Sequence, residues 1–551
     1  MTANTHGMTV SGSTQPRSPR TLPFRVAPFG GESLQSWLAT TAARGQTPWY
    51  VLFKALGPTP SDSATKKSHH LDEVVPSEQL SNIAVATGLD ERRIAAMTLA
   101  GSGVASIHLN VDGRVTTPWG RPVPWRHYCP ACLRESGGRW SLQWKLPWAA
   151  LCVEHGCLLN DTCPECGFKQ YGAPGSFVDR QPPRPLMCSC GADLGTAPLR
   201  LVPTQAMVEA QQSLNAIIAT ESIDIGIYAH TTVSGDQLMA DIRRLANRIL
   251  VAATPQSLAE ALDSERPGAV ERWLDHLWQP SSDNVPASTR FTTNGSCDIR
   301  ATGTLAALQV LRQPTFETAA TVLRSMIDLD RGTPVRPGDH YRGYRPSAEL
   351  CAVEIVSQSC RWDELGKIRF RVYDPLPRRL DSLDATQEML RNVPTLLWCP
   401  LAAAVDVIEH GLAWSTYCQT LSWLLLEIGA RPTERTIRDG LLATTERKRV
   451  HEFVETMRRE PRWTDVAAAL TRLHAFLTAH PSPIDYRRRR QLDYTDILTA
   501  EQWNRLWKHA EAVHRPVPVA AARIWLYERL SGSAAGTRSP FVASDMSAID
   551  F

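Results

Sequence analysis

The stretch Tyr128–Gly167, YCPACLRESGGRWSLQWKLPWAALCVEHGCLLNDTCPECG, holds Cys129, Cys132, Cys152, Cys157, Cys163 and Cys166, six of the chain's 13 cysteines, together with His155. Cys188 and Cys190 follow shortly after. The donors fall in close pairs: Cys129-x-x-Cys132, Cys152-x-x-His155, Cys163-x-x-Cys166 and Cys188-x-Cys190. A short gap lets one tight turn present two donors to one ion, and thiolate sulfur with imidazole nitrogen suits zinc. Gly167 and Gly191 follow their pairs, as turns with positive φ favour. Eight donors make two tetrahedral sites. Nearest-in-sequence pairing gives Cys129, Cys132, Cys152 and His155 for one ion, and Cys163, Cys166, Cys188 and Cys190 for the other. An interleaved pairing satisfies the same spacing. Cys157 offers a thiolate two residues beyond His155, which is the preferred ligand.

Catalytic zinc keeps an open coordination position, whereas full sulfur-rich shells close the ion off. A deaminase arrangement is missing too, because Glu154 and Glu165 sit inside the ligand pairs. Two structural zinc ions are therefore expected, supplying much of the folding free energy of a segment with little apolar core. Trp140, Trp144 and Trp148 recur at the spacing of one helical face, although Pro147 argues against an unbroken helix. Packing against the metal-binding turns is the preferred reading over stacking on nucleobases.

A chain of 551 residues exceeds the ~250–300 over which a single core keeps growing, so several domains are expected. Hydrophobic content of 43% and charged content of 21% are ordinary for a globular protein. No run approaches the ~18 apolar residues that span a bilayer, and the N-terminus lacks signal-peptide order, so the expected location is cytoplasmic with no membrane contact. There thiols stay reduced, which favours metal over disulfides. A net charge of +3 identifies no partner, because a near-neutral total can hide a basic face.

The stretch LSNIAVATGLDERRIAAMTL carries a helix-turn-helix pattern: small Ala84 in the first helix, Gly88 at the turn and apolar Ile94 in the second. Leu80, Ile83, Leu89 and Met97 complete a buried side, and Asp90 can cap the second helix. Arg92 and Arg93 then face outward, available to phosphate oxygens or base edges. Upstream, Leu34, Trp37 and Leu38 fit an amphipathic helix whose start Glu32 or Ser33 would stabilise.

Past residue 200, TQAMVEAQQSLNAIIA and QLMADIRRLANRIL repeat apolar residues at helical spacing. QPSSDNVPASTRFTTNGS and LDRGTPVRPGDHYRGYRP have linker composition. Further on, YCQTLSWLLLEIGARPTERTIRDGLLATTERKRV predicts two amphipathic helices about Gly429 and Pro432, a second helix-turn-helix candidate with Arg435 and Arg438 outward. Arg487, Arg488, Arg489 and Arg490 form a candidate phosphate-binding cluster. The chain has no P-loop, G-x-G-x-x-G or H-E-x-x-H, and its carboxylates are too scattered for a nuclease trio. No enzyme activity is required.

The fold class expected is mainly α: a helix-turn-helix N-terminal domain, two small zinc-knuckle units and helical C-terminal domains. The boundaries are a tail over 1–20, an N-terminal domain over 21–125, metal-binding residues 126–200, a helical middle over 201–345, a helical DNA-binding region over 346–531 and a tail over 532–551.

Read in order, GGESLQSWL, the helix-turn-helix, YCPACL, the spaced tryptophans, LCVEHGCLL and CPECG resemble the TniQ family, whose longer members include TnsD. The resemblance covers roughly residues 23–195. It implies a protein that selects the double-stranded target site of a DNA transposon, directly or through an RNA-guided complex, and recruits an AAA+ ATPase that brings the transposase. It also implies zinc ligands at Cys129, Cys132, Cys152, His155, Cys163, Cys166, Cys188 and Cys190. Homodimerisation is compatible with such a protein. A zinc-stabilised transcriptional or defence regulator could use the same parts.

Overall fold

The computed structural model describes residues 20–56, 71–123, 127–170, 181–220, 222–262, 268–278, 296–327, 345–380, 383–406, 411–509, 518–533 and 540–541. The tail over 1–19 and most of both linker stretches lie outside the described residues. The described chain is mainly helical and falls into two compact units, divided between Ser347 and Ala348. Among the described residues no helix is long and apolar enough to cross a membrane.

The first unit opens with α1 (Leu34–Arg44), α2 (Trp49–Ala55), α3 (Ser77–Thr87) and α4 (Glu91–Ala95). Ser33 caps α1 by accepting from Ser36 N at 3.2 Å, satisfying one of the free N–H groups of a first turn. Leu34, Trp37 and Leu38, at the i, i+3, i+4 positions of one face, are all buried against Ile83, Ile94 and Met97. A hairpin of β1 (His108–Leu109) and β2 (Val115–Thr116) leads to α5 (Pro130–Glu135). β3 (Leu151–Cys152), β4 (Cys157–Leu158) and β5 (Arg200–Leu201) form an antiparallel sheet in that order. Then come α6 (Gln205–Ile217), the β6 (Ser222–Ile223) and β7 (Val233–Ser234) pair, α7 (Gly235–Ala252), α8 (Pro255–Leu262), α9 (Ala269–Trp278), α10 (Cys297–Leu311) and α11 (Phe316–Met326).

No α-helix runs through the spaced tryptophans. Only a 3-10 turn over Leu142–Lys145 forms, and Leu146 is extended, as the residue before Pro147 must be. All three indoles are nevertheless buried: Trp140 packs on Tyr128 and Trp144, and Trp148 meets Trp119 edge-on. Burial removes them from any nucleobase. Arg300 of α10 ties this segment down from inside, donating to Pro147 O at 2.9 Å and to His127 Nε2 at 2.8 Å. His127 Nδ1 in turn donates to Trp144 O at 3.0 Å. That chain of bonds requires neutral imidazole, and burial, then the Arg300 charge, hold the His127 pKa well below its ordinary value.

The second unit comprises α12 (Ala348–Gln358), α13 (Glu364–Arg369), α14 (Leu383–Asn392), α15 (Cys399–Val405), α16 (Trp414–Glu427), α17 (Glu434–Leu441), α18 (Arg447–Met457), α19 (Trp463–Ala479), α20 (Tyr486–Arg489), α21 (Ala500–His509) and α22 (Val519–Ser531). Every residue of α16 from Tyr417 to Glu427 is buried, so the expectation of an amphipathic first helix before Gly429 is corrected. α16 is the central rod of this unit's core, and a helix apolar nearly all round belongs there. Its buried Glu427 is met by Arg369 at 2.7 Å and Arg447 at 3.3 Å, which offsets the cost of desolvating the carboxylate.

His474 of α19 is 5% exposed and faces Arg371 at 3.4 Å. Burial, then the arginine charge, lower its pKa to about 3. Between its ordinary value near 6.5 and about 3 the unfolded chain binds a proton that the folded chain refuses. The stability held above pH 6.5 is therefore lost as pH falls. Denaturant unfolding of the second unit is expected to show about 2 kcal/mol less stability at pH 5 than at pH 6.5 from this group. His474→Gln should remove that part of the slope, and an unchanged slope would refute the assignment.

Candidate metal centres and basic surfaces

Cys129 is the extended residue before α5, with Pro130 in the first turn where its missing N–H costs nothing. Cys132 lies one turn into the same helix. Opposite them, Cys152 ends β3 and Cys157 begins β4, the two being partners in register. The turn between them carries His155 and is closed by Gly156 at φ +57°, a left-handed conformation suited to glycine.

These elements bring Cys129, Cys132, Cys152 and His155 together, each offering a donor atom within 4.8 Å of the others. His155 Nδ1 stands 3.6 Å from Cys129 Sγ, 3.3 Å from Cys132 Sγ and 3.4 Å from Cys152 Sγ. Cys132 and Cys152 Sγ are 3.5 Å apart. Around a tetrahedral ion with bonds of about 2.3 Å to sulfur and about 2.0 Å to nitrogen, the donor separations come to about 3.8 Å and 3.5 Å. The observed spacings are close to those edges. Neighbouring Cys129 pushes the Cys132 and Cys157 thiols well above the ordinary range, while the same set of contacts holds Cys129 and Cys152 below it.

The second cluster joins Cys163, Cys166, Cys188 and Cys190, again within 4.8 Å. Cys163 and Cys190 Sγ lie 3.7 Å apart, and Cys166 and Cys188 Sγ 3.8 Å. Each pair sits in a turn closed by glycine, Gly167 at φ +69° and Gly191 at φ +94°. Gly167 N donates to Cys163 O, and Gly191 N to Cys188 O, both at 2.9 Å. Gln170 Nε2 approaches Cys188 Sγ at 3.4 Å. Cys163 and Cys188 are buried, Cys166 and Cys190 exposed. The grouping is nearest-in-sequence, not interleaved. Both donor sets fit a closed tetrahedral shell for a soft divalent ion.

Sequence reasoning missed Glu135. Its Oε1 lies 3.0 Å from His155 Nε2, and the signal was there: Cys132 and Glu135, three apart on α5, share a face. Cys157 is fully buried, with Sγ 3.7 Å from Cys129 Sγ.

The helix-turn-helix residues fall as α3, a turn and α4. Gly88 takes φ +70° and donates to Ala84 O, and Asp90 caps α4 through Arg92 N at 2.8 Å. α4 is five residues long, with Arg92 and Arg93 both exposed. In the second unit Arg435 and Arg438 are exposed on α17, Arg435 beside Asp439 at 3.4 Å.

The run of four arginines divides. Arg487 and Arg488 are exposed. Arg489 is half-buried and donates to Leu530 O at 3.2 Å, at the end of α22. Arg490 is buried, donating to Val393 O at 2.9 Å and to Leu390 O, at the end of α14. As a correction to the expected phosphate cluster, Arg490 is spent on the last carbonyls of a helix and Arg489 in part likewise.

No curated protein shows a significant match to the chain. The segment comprising residues 23–159, which holds the α3–α4 pair and every donor of the first centre but stops short of the second, matches the family model of TniQ.

Proposed function

We propose that this chain is a non-catalytic, zinc-braced DNA-binding adaptor that selects the target site of a DNA transposon and recruits an AAA+ ATPase and, through it, the transposase. The observation that carries this reading is the TniQ match, whose single segment includes both the α3–α4 helix pair and the first Cys/His cluster. The proposed ligands are Cys129, Cys132, Cys152 and His155 for one structural zinc, and Cys163, Cys166, Cys188 and Cys190 for the other. Closed shells leave no position for a reacting water, so both ions serve folding. Exposed Arg92, Arg93, Arg435, Arg438, Arg487 and Arg488 are the cations proposed to meet phosphates. TnsD-like direct site recognition is part of the proposal.

Sequencing of DNA captured with the chain in cells, together with identification of co-purified proteins, tests the reading. One enriched site and an ATPase among the captured proteins support it. Enrichment at promoters with no ATPase would favour the transcriptional regulator instead. On a target duplex, Arg92→Ala with Arg93→Ala should flatten the slope of log affinity against log salt by about 1.8, since each phosphate contact contributes about 0.9. An unaltered slope would mean that α4 does not touch the backbone.

A further inference from the structure

A fifth donor stands beside the first centre. Cys157 Sγ lies 3.7 Å from Cys129 Sγ, the separation of two ligands on one tetrahedral ion, and it is fully buried. A four-coordinate ion takes four donors, and thiolate is the softer, more strongly bound choice over imidazole. Something in the surroundings must select His155. Glu135 does so through a hydrogen bond. Its Oε1, 3.0 Å from His155 Nε2, accepts the Nε2 proton, which fixes the tautomer, leaves the Nδ1 lone pair facing the three thiols and raises ligand basicity. The Glu154 carboxylate, whose Oε2 is 3.6 Å from Cys132 Sγ, separately disfavours a fourth thiolate. Three thiolates and imidazole leave a zinc centre at −1, and four would make it −2 beside two carboxylates.

We propose that Glu135 is a positioning residue that sets the composition of the first centre, holding His155 on the metal through Nδ1, and that Cys157 is a reserve thiolate that takes the fourth position when the imidazole is released. This rests on the reading of the cluster as a metal site. Glu135 side-chain exposure is 60%, so its replacement leaves no hole in the core.

The test uses the full-length chain loaded with Co2+ in place of zinc, because d–d and thiolate-to-metal absorption separates three-sulfur, one-nitrogen coordination from four-sulfur coordination. The second centre contributes equally to every variant and cancels in difference spectra. Glu135→Ala is expected to hold two Co2+ per chain but to shift the d–d bands to longer wavelength. Thiolate charge-transfer absorption should rise by about one part in seven, as seven thiolate ligands become eight. Glu135→Gln, whose amide oxygen still accepts from Nε2, should keep the wild-type spectrum, as should Cys157→Ala. The double variant Glu135→Ala/Cys157→Ala should show no shift to the four-sulfur pattern. An unshifted Glu135→Ala spectrum, a shifted Glu135→Gln spectrum or a changed Cys157→Ala spectrum would each overturn the proposal. Fewer than two Co2+ on the wild-type chain would instead strike at the metal reading itself.

Discussion

Purified Cys163→Ser protein is expected to carry one zinc per chain where the wild type carries two, and to lose the turns closed by Gly167 and Gly191. A tetrahedral site deprived of one thiolate holds metal poorly, and binding at such a site is coupled to folding. The second cluster joins turns made largely of backbone, with Cys166 and Cys190 at the surface, so little apolar burial stands behind it. Structural zinc contributes on the order of 10 kcal/mol to small metal-folded units, more than a segment of this kind can recover by packing. The comparable loss at the first centre needs Cys132→Ser together with Cys157→Ser, since a buried spare thiol adjoins that shell. Metal analysis of the purified variants and near-ultraviolet circular dichroism give the readout. Two equivalents of zinc retained by Cys163→Ser would remove the ligand set from consideration.

Arg490→Ala is expected to destabilise the second unit by about 3–6 kcal/mol, because hydrogen bonds from a charged group are worth about 1.5–3 kcal/mol each and two buried carbonyls lose their donor. Burial, then the neighbouring Arg487 charge, leave the Arg490 pKa at about 10 with Asp485 working the other way, so the side chain is charged near neutral pH. The carbonyls it serves, Leu390 O and Val393 O, belong to the last turn of α14, where intrahelical partners run out. Arg487→Ala with Arg488→Ala should do the reverse: near-wild-type stability and a flatter salt dependence of DNA binding. Denaturant unfolding of both variants, with titrations at several salt concentrations, separates the roles. Equal stability losses in the two would mean that position within the run carries no distinction.

The gathering of the Cys and His pairs and the mainly helical class were legible because both rest on short-range spacing. Pairs separated by two residues survive any tertiary context, and the 34, 37, 38 periodicity of α1 needs only a partner surface. What was illegible depended on distant neighbours. Nothing near Arg490 in sequence announces the end of α14, so four consecutive arginines read alike although two are exposed and one is buried. The apolar run of α16 was read as one amphipathic helix, yet its polar residues lie inside as well. In the fold Gln419 Oε1 accepts from Thr444 N at 3.1 Å, and Ser422 lies fully inside. The tryptophan spacing invited a helix that Pro147 forbids, yet burial of the indoles followed from their size. Glu135 is not a soft donor and so stands outside the ligand pattern, although its place one turn after Cys132 already puts it on the side of the cluster.

Bonds reaching across residue 159 bear on how much chain is required for autonomy. Met239 O accepts from the Trp119 indole at 2.7 Å, and Gln211 Oε1 accepts from Ala150 N at 3.0 Å. Arg200 and Leu201 pair with Leu158 and Cys157. A fragment cut at the edge of the family match would strip its interior of these outside partners. The matched stretch therefore shares its interior with the chain beyond it, and Arg300 of α10 is among the partners that a cut at residue 159 would remove.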